Sequence, residues 1–403
     1  MRVLLTTFGS RGDVQPLLAK ALALRVLGAD ARVCAPYDAE FVDLFGAAGV
    51  PLFPAFTSVR TWIAEMLPKR ATLSLPDVAA KVMAAQYEAI SAAANECDVI
   101  VATGLFSSVA AARSVADKLG IRYVFAAYCP LFLPSRQQRP MEYLSHPHPP
   151  GVTDNATLWQ RDVQVMNEIF GGALNALRRS QGLRRVDNVR GYLQTDRPWL
   201  AADPVLGPCE QPIDIDVVQT GAWIVPDERP LPDDLLRFLD AGESPVYIGF
   251  GSIPVAKDFA RTAIEVVRAQ GRRVLLSKGW AELALADDRE DCFEIGEVNQ
   301  QALFRSVAAV IHHGGAGTTT TAARAGAPQV IVPQIGDQSY WATRVHELGI
   351  GSAHDRSIPT YESLSTALER ALLPETVAQA LVLAERIRTD GAMRAAEMLV
   401  SVR

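Results

Sequence analysis

This chain opens twice in the same way. The apolar run "RVLLTTF" ends in Phe8-Gly9-Ser10 and passes into the helical pattern "PLLAKALALRVLG". Far downstream "SPVYIGF" ends in Phe250-Gly251-Ser252 and passes into "FARTAIEVVRAQG". Each opening starts a cycle of buried strand and helix. "ADARVCAP", "CDVIVATG" and "RYVFAAY" continue the first cycle, and "GRRVLLSKGW", "VAAVIHH" and "PQVIVP" continue the second. Strands that alternate with helices pair in parallel, because a helical crossover returns the chain to the same edge of the sheet. The pattern predicts an α/β protein with two doubly wound, Rossmann-like parallel-sheet domains and a cleft between them. Ligands of such sheets bind beyond the carboxyl ends of the strands, where the glycine turns lie.

A chain of 403 residues is long for one core. We read domain 1 as residues 1–203 and the proline-dense 204–230 as a linker, with domain 2 from 231 to 386. The pattern lapses from Pro130 to about Asn155, a proline-rich polar segment of the kind that is functional or mobile in compact domains. A helical stretch follows from about Leu158 to Ser180.

With 49% hydrophobic and 21% charged residues the chain is globular rather than disordered. A net charge of -6 without a basic block argues against nucleic acid or an anionic membrane as main partner. The five cysteines are scattered and show no metal-ligand spacing, which argues against a disulfide scaffold or a zinc site. The N-terminal apolar run is short for a signal peptide, and no stretch reaches a membrane span. A cytoplasmic location is expected.

"VIHHGGAGTTTTAARAG" carries the most chemistry. A strand ends at the turn His312-His313-Gly314-Gly315, a helix runs from Ala316 to Ala325, and Gly326 stops it in the left-handed conformation. Small residues at Gly315, Ala316, Gly317 and Thr318 leave backbone N–H groups open at the positive end of the helix dipole, which suits a diphosphate. Neither the GxxxxGK[ST] nor the GxGxxG pattern is present. Adjacent residues at a strand end point to opposite faces, so the histidines would seldom share one metal. His313 is the candidate donor to phosphate and His312 the structural one. His146 and His148, in the proline-rich segment, lack a third ligand.

Gly336-Asp337-Gln338 follows "QVIVP" and belongs to the same rim. A carboxylate and an amide together take several sugar hydroxyls. Asp13, near the first helix start, is a candidate general base. Plainer readings stand beside each: a packing turn, an ordinary Gly-Asp turn, and a helix-dipole partner.

"GSRGDVQP", "HHGGAGTT" and "GDQ", in this order, together resemble family 1 glycosyltransferases of the GT-B fold. They are most similar to the vancomycin-group glycopeptide glucosyltransferases of actinomycetes. The resemblance covers almost the whole chain and extends to "WLAADPVL" and "QTGAWIVPDERPL". It implies inverting, metal-independent transfer of a hexose, glucose for a "DQ" pair, from a UDP- or TDP-sugar to an acceptor hydroxyl. It implies no cofactor, an acceptor domain first and a donor domain second, and a last segment, 387–403, returning to the first domain. Asp13 matches the general base. Ser10, Arg11 and Gly12 match residues near the donor phosphates, with Ser252, His313 and Gly315 to Thr318. Asp337 and Gln338 match the sugar contacts, and Trp280 and Val298 the base contacts, although Glu297 stands where plant relatives carry tryptophan.

The acceptor would be set by 57–95 and 130–160, where Phe132, Tyr143 and Trp159 suggest a broad apolar natural product, a glycopeptide first. The Asp233-Asp234 and Asp287-Asp288 pairs read as solvated. Other readings are a sterol, glycolipid or polyketide glucosyltransferase, an epimerase of the same fold, and a nucleotide-sugar-binding protein without catalysis.

Overall fold

The computed structural model describes residues 1–401 except 67–71, 73, 144, 254, 257, 281, 282, 286, 288 and 355–357. The chain divides into two compact units. Unit 1 comprises Met1–Pro204, Pro208–Val225 and Thr389–Arg403; unit 2 comprises Val205–Gly207 and Pro226–Arg388.

Unit 1 is built on seven strands: β1 (Arg2–Thr6), β2 (Asp30–Ala35), β3 (Leu52–Pro54), β4 (Val99–Ala102), β5 (Arg122–Ala127), β6 (Trp199–Leu200) and β7 (Val218–Gln219). Their order is β3-β2-β1-β4-β5-β6-β7, and every pairing is parallel. Unit 2 has six: β8 (Val246–Gly249), β9 (Val274–Ser277), β10 (Cys292–Ile295), β11 (Ala309–His312), β12 (Gln329–Ile331) and β13 (Gly351–Ala353). Their order is β10-β9-β8-β11-β12-β13, again all parallel.

Helices cover both faces of the second sheet, which is why its central strands β8, β9 and β11 are mostly apolar. Val246, Ile248, Leu276 and Ile311 enter one core cluster, and their strand neighbours Tyr247, Leu275 and Val310 enter the other. From β1 the chain proceeds to β2 on one side, and from β4 to β5 on the other. β8 and β11 diverge in the same manner. Each sheet therefore has a switch point, between β1 and β4 and between β8 and β11, where the loops part and leave a crevice.

The stretch 204–230 departs from the expected linker. It contains β7, held by Val218 N donating to Pro198 O at 3.0 Å, and the unit boundary runs through it. Its prolines punctuate an edge strand rather than a tether. The proline-rich segment is also pinned. Trp159 Nε1 donates to Gln138 O at 2.7 Å, Asn155 Nδ2 to Arg136 O at 2.9 Å, and Gln194 Nε2 and Arg190 to Phe132 O. The helical stretch after it is continuous from Asn155 to Ser180 through a π turn at Asn167–Gly171. Among the described residues no helix is long and apolar enough to cross a membrane.

Candidate active site

In unit 2 the loops after β8, β9, β10, β11 and β12 carry the candidate donor residues. Helix Ala316–Ala325 starts from Gly315 with no side chain capping it, so the first-turn N–H groups keep their capacity for an anion. It ends at Gly326, φ 71°, as the sequence predicts. Gly315 is needed for space: a Cβ there would lie 2.6 Å from His313 Nε2. Gly314, φ 92°, lets the turn pass against the backbone of Gln338, whose carbonyl oxygen would be 3.1 Å from an added Cβ. The His313 turn and the Gln338 loop thereby lie backbone against backbone.

The two histidines divide as strand geometry requires. His312 is fully buried, with Nε2 paired to Gln329 Oε1 at 2.9 Å and Nδ1 accepting from Gly314 N at 3.1 Å. His313 lies beside Gly251, and its Nδ1 is buried without a hydrogen-bond partner. Burial pushes His313 down to about 4 and His312 to about 3, so both rings are neutral at physiological pH. A neutral imidazole still has one N–H to donate.

The β8 and β9 loops meet where Trp280 N donates to Gly251 O at 2.8 Å, and Gly279 leaves room for that carbonyl. Ser252 and Trp280 are half-buried on these loops. Val298 is partly buried and packs against the core cluster that includes Leu303 and Phe304. Glu297 Oε1 is held by Arg229 Nη1 at 3.2 Å, so its charge is balanced rather than presented as an aromatic platform.

Asp337 and Gln338 differ in how they are committed. Gln338 is buried, and its Oε1 accepts from Gln334 N at 2.7 Å and Ile335 N at 3.1 Å. Its NH2 end is what it can offer a sugar. Asp337 Oδ2 accepts from Trp341 Nε1 at 3.0 Å. Burial holds the Asp337 carboxyl above its ordinary range, with that indole N–H pulling it down.

In unit 1, Ser10 precedes helix Arg11–Val26 and makes no side-chain cap, and Asp13 lies in the first turn. A Cβ at Gly9 would overlap the Asp13 carboxylate, so that glycine gives the carboxylate its place. Arg11 Nε donates to Gln15 Oε1 at 3.1 Å, one turn along its own helix, and Gly12 is exposed. Tyr128 Oη donates to Asp13 O at 3.3 Å and braces this turn from the end of β5. The tyrosine and Trp341 were not among the sequence candidates. The i, i+4 spacing from Asp337 to Trp341 was the available signal for the second.

Trp159 is a correction. It is 3% exposed, with its ring under Arg190 at 5.0 Å, so it packs the core rather than meeting an acceptor. Phe132 is half-buried against Phe106, and Tyr143 is half-buried with Oη 3.4 Å from Met166 Sδ. His146 Nε2 pairs with Glu168 Oε2 at 2.9 Å, and His148 Nε2 contacts Pro140 O at 3.1 Å. Among the described residues no group of three or more His, Cys, Asp or Glu could hold a metal ion. Asp233 and Asp234 are exposed in a first helical turn. Asp287 is held by Arg268 at 2.7 Å, and Asp288 lies outside the described residues.

Parallel sheets with switch points, and an uncapped helix at one of them, define a doubly wound α/β protein with a candidate anion site. Residues 292–396 match the family described as erythromycin biosynthesis protein CIII-like, C-terminal domain. The chain is 52% identical to the glycosyltransferase GtfE of Amycolatopsis orientalis, over 99% of this chain and 97% of the relative. It is equally similar, 52% with the same coverage, to the vancomycin aglycone glucosyltransferase of that organism. It is 47% identical to the dTDP-epi-vancosaminyltransferase, also of A. orientalis, over 94% of this chain and 92% of the relative. The solved glycosyltransferase of kitacinnamycin shares the fold, with a TM-score of 0.71 at 21% identity over 99% of this chain and 98% of that one. The chain belongs to the family 1 glycosyltransferases of the GT-B fold, in the glycopeptide group. It is an enzyme, a hexosyltransferase.

Proposed function

We propose that this enzyme is a cytoplasmic, inverting, metal-independent glycosyltransferase. It moves glucose from a UDP- or TDP-sugar to a hydroxyl of a glycopeptide aglycone. The observation that carries the reading is the uncapped start of helix Ala316–Ala325 beside neutral His313, with Asp337 and Gln338 on the adjoining loop. Relatives named for a glucosyl and for an epi-vancosaminyl transfer are 52% and 47% identical, so similarity alone does not select the sugar. The Asp337–Gln338 pair supports a fully hydroxylated hexose, because it supplies both acceptor and donor.

In this reaction the acceptor oxygen attacks the anomeric carbon and its proton passes to the Asp13 carboxylate. The bond from that carbon to the diphosphate oxygen breaks, and the electron pair leaves on the diphosphate. One displacement inverts the carbon. The Ala316, Gly317 and Thr318 N–H groups and the His313 N–H stabilise the growing negative charge without rearranging. Ser10, Arg11, Gly12 and Ser252 are assigned to the phosphates, and Trp280 and Val298 to the base.

Asp13→Asn tests the base. Turnover should fall by ~100-fold or more while the diphosphate Kd stays within about twofold. EDTA should leave wild-type turnover unchanged. Full activity of Asp13→Asn would remove the base, and loss of activity in EDTA would remove the metal-free mechanism.

A further inference from the structure

We infer that Trp341 is a positioning residue for sugar recognition: its indole N–H fixes one oxygen of the Asp337 carboxylate and so directs the other. The inference rests on the reading of Asp337 as a sugar contact. Asp337 precedes helix Gln338–Glu347, where an aspartate ordinarily accepts from the helix's own first-turn N–H groups. Here it makes no such cap. Its backbone is in the helical region, φ −80° and ψ −2°, rather than the extended conformation a cap requires. The carboxylate turns instead to Trp341 Nε1, 3.0 Å away.

The tryptophan is well placed to hold it. Trp341 is 1% exposed, among the largest fully buried side chains, and Tyr340 meets it edge-on at 5.1 Å. Close packing holds such an indole in one rotamer on the time average. Its helix begins at Gln338, whose side chain is fixed by the Gln334 and Ile335 N–H groups of its own loop and whose backbone lies close against Gly314 of the candidate diphosphate turn. The carboxylate is thus aimed from a rigid element, and a misplacement of about 1 Å at such a group is costly to turnover.

The test compares Trp341→Phe, Asp337→Ala and the double variant, with glucose and galactose nucleotide donors. Trp341→Phe keeps an aromatic ring and loses the N–H. We expect kcat/KM for the glucose donor to fall ~10-fold, discrimination against the galactose donor to narrow, and the Kd of the free nucleoside diphosphate to stay within about twofold. In the Asp337→Ala background the change at 341 should add nothing, and Trp341→His, which keeps a ring N–H, should recover part of the loss. Multiplicative effects in the double variant, or a neutral Trp341→Phe beside a damaging Asp337→Ala, overturn this inference alone. A neutral Asp337→Ala refutes the sugar contact itself. One readout needs no change at 341: an indole N–H resonance of the wild-type protein must move in Asp337→Ala, and no movement overturns the inference.

Discussion

Lys20 shows what a single residue costs this fold. It lies on helix Arg11–Val26, is fully buried, and its ammonium has no hydrogen-bond partner. It sits 4.9 Å from the Trp199 ring and 5.5 Å from that of Trp223, which offsets part of the desolvation. Burial, and secondarily the Arg122 charge, push it from 10.5 down to about 6. Between those values the unfolded chain holds a proton that the folded chain does not, so this group makes stability rise with pH across that window and level off at its lowest contribution below it. Lys20→Met should stabilise the protein by roughly 2–4 kcal/mol near pH 7. Urea denaturation at pH 6 and pH 9 checks the sign: the gain should be larger at pH 6. In "PLLAKALALRV" the lysine reads as the polar mark of an amphipathic helix, since local spacing does not reveal what covers the other side. The histidines were legible because their divergence is a local property of a strand.

At the scale of elements, the proline-rich segment behaves as a built layer. Arg190, on the short helix Val189–Gln194, is 5% exposed and forms an ion pair with Asp162, 4% exposed, on helix Asn155–Met166. It also donates to Phe132 O, at the start of the segment. Burial raises the Asp162 carboxyl and Arg190 opposes that rise. Removing one partner leaves a buried charge, which costs more than the pair contributes. Arg190→Ala should destabilise by ~3–5 kcal/mol in chemical denaturation, and Asp162→Leu with Arg190→Met should recover most of it. A matching loss in the double variant would contradict this account. Proline content marked the segment as irregular. It held no record of Arg190 and Trp159, which lie beyond the segment in sequence and pin it from neighbouring helices.

The whole chain is not cut into units in sequence order. Thr389–Arg403 clusters with unit 1, where helix Gly391–Ser401 lies on helix Arg11–Val26. Gly391 makes this possible, because a Cβ there would overlap the backbone of Gly221 and Ala222. Neither backbone can yield cheaply, so Gly391→Val should destabilise unit 1 by ~2–4 kcal/mol. The nearby Trp199 and Trp223 should report the earlier transition by fluorescence. Retention of wild-type melting would show that the Gly391 contact is dispensable.

The succession of strands and helices, the stop at Gly326 and the opposed faces of His312 and His313 were written in the sequence. Each depends on residues a few places apart. Tertiary structure alone decided that β1 lies beside β4 and β8 beside β11, which creates the switch points. It also decided that 204–230 supplies an edge strand and that Trp159 is core. Periodicity records whether a side chain is buried; the partner that buries it comes from distant chain, and only packing selects it.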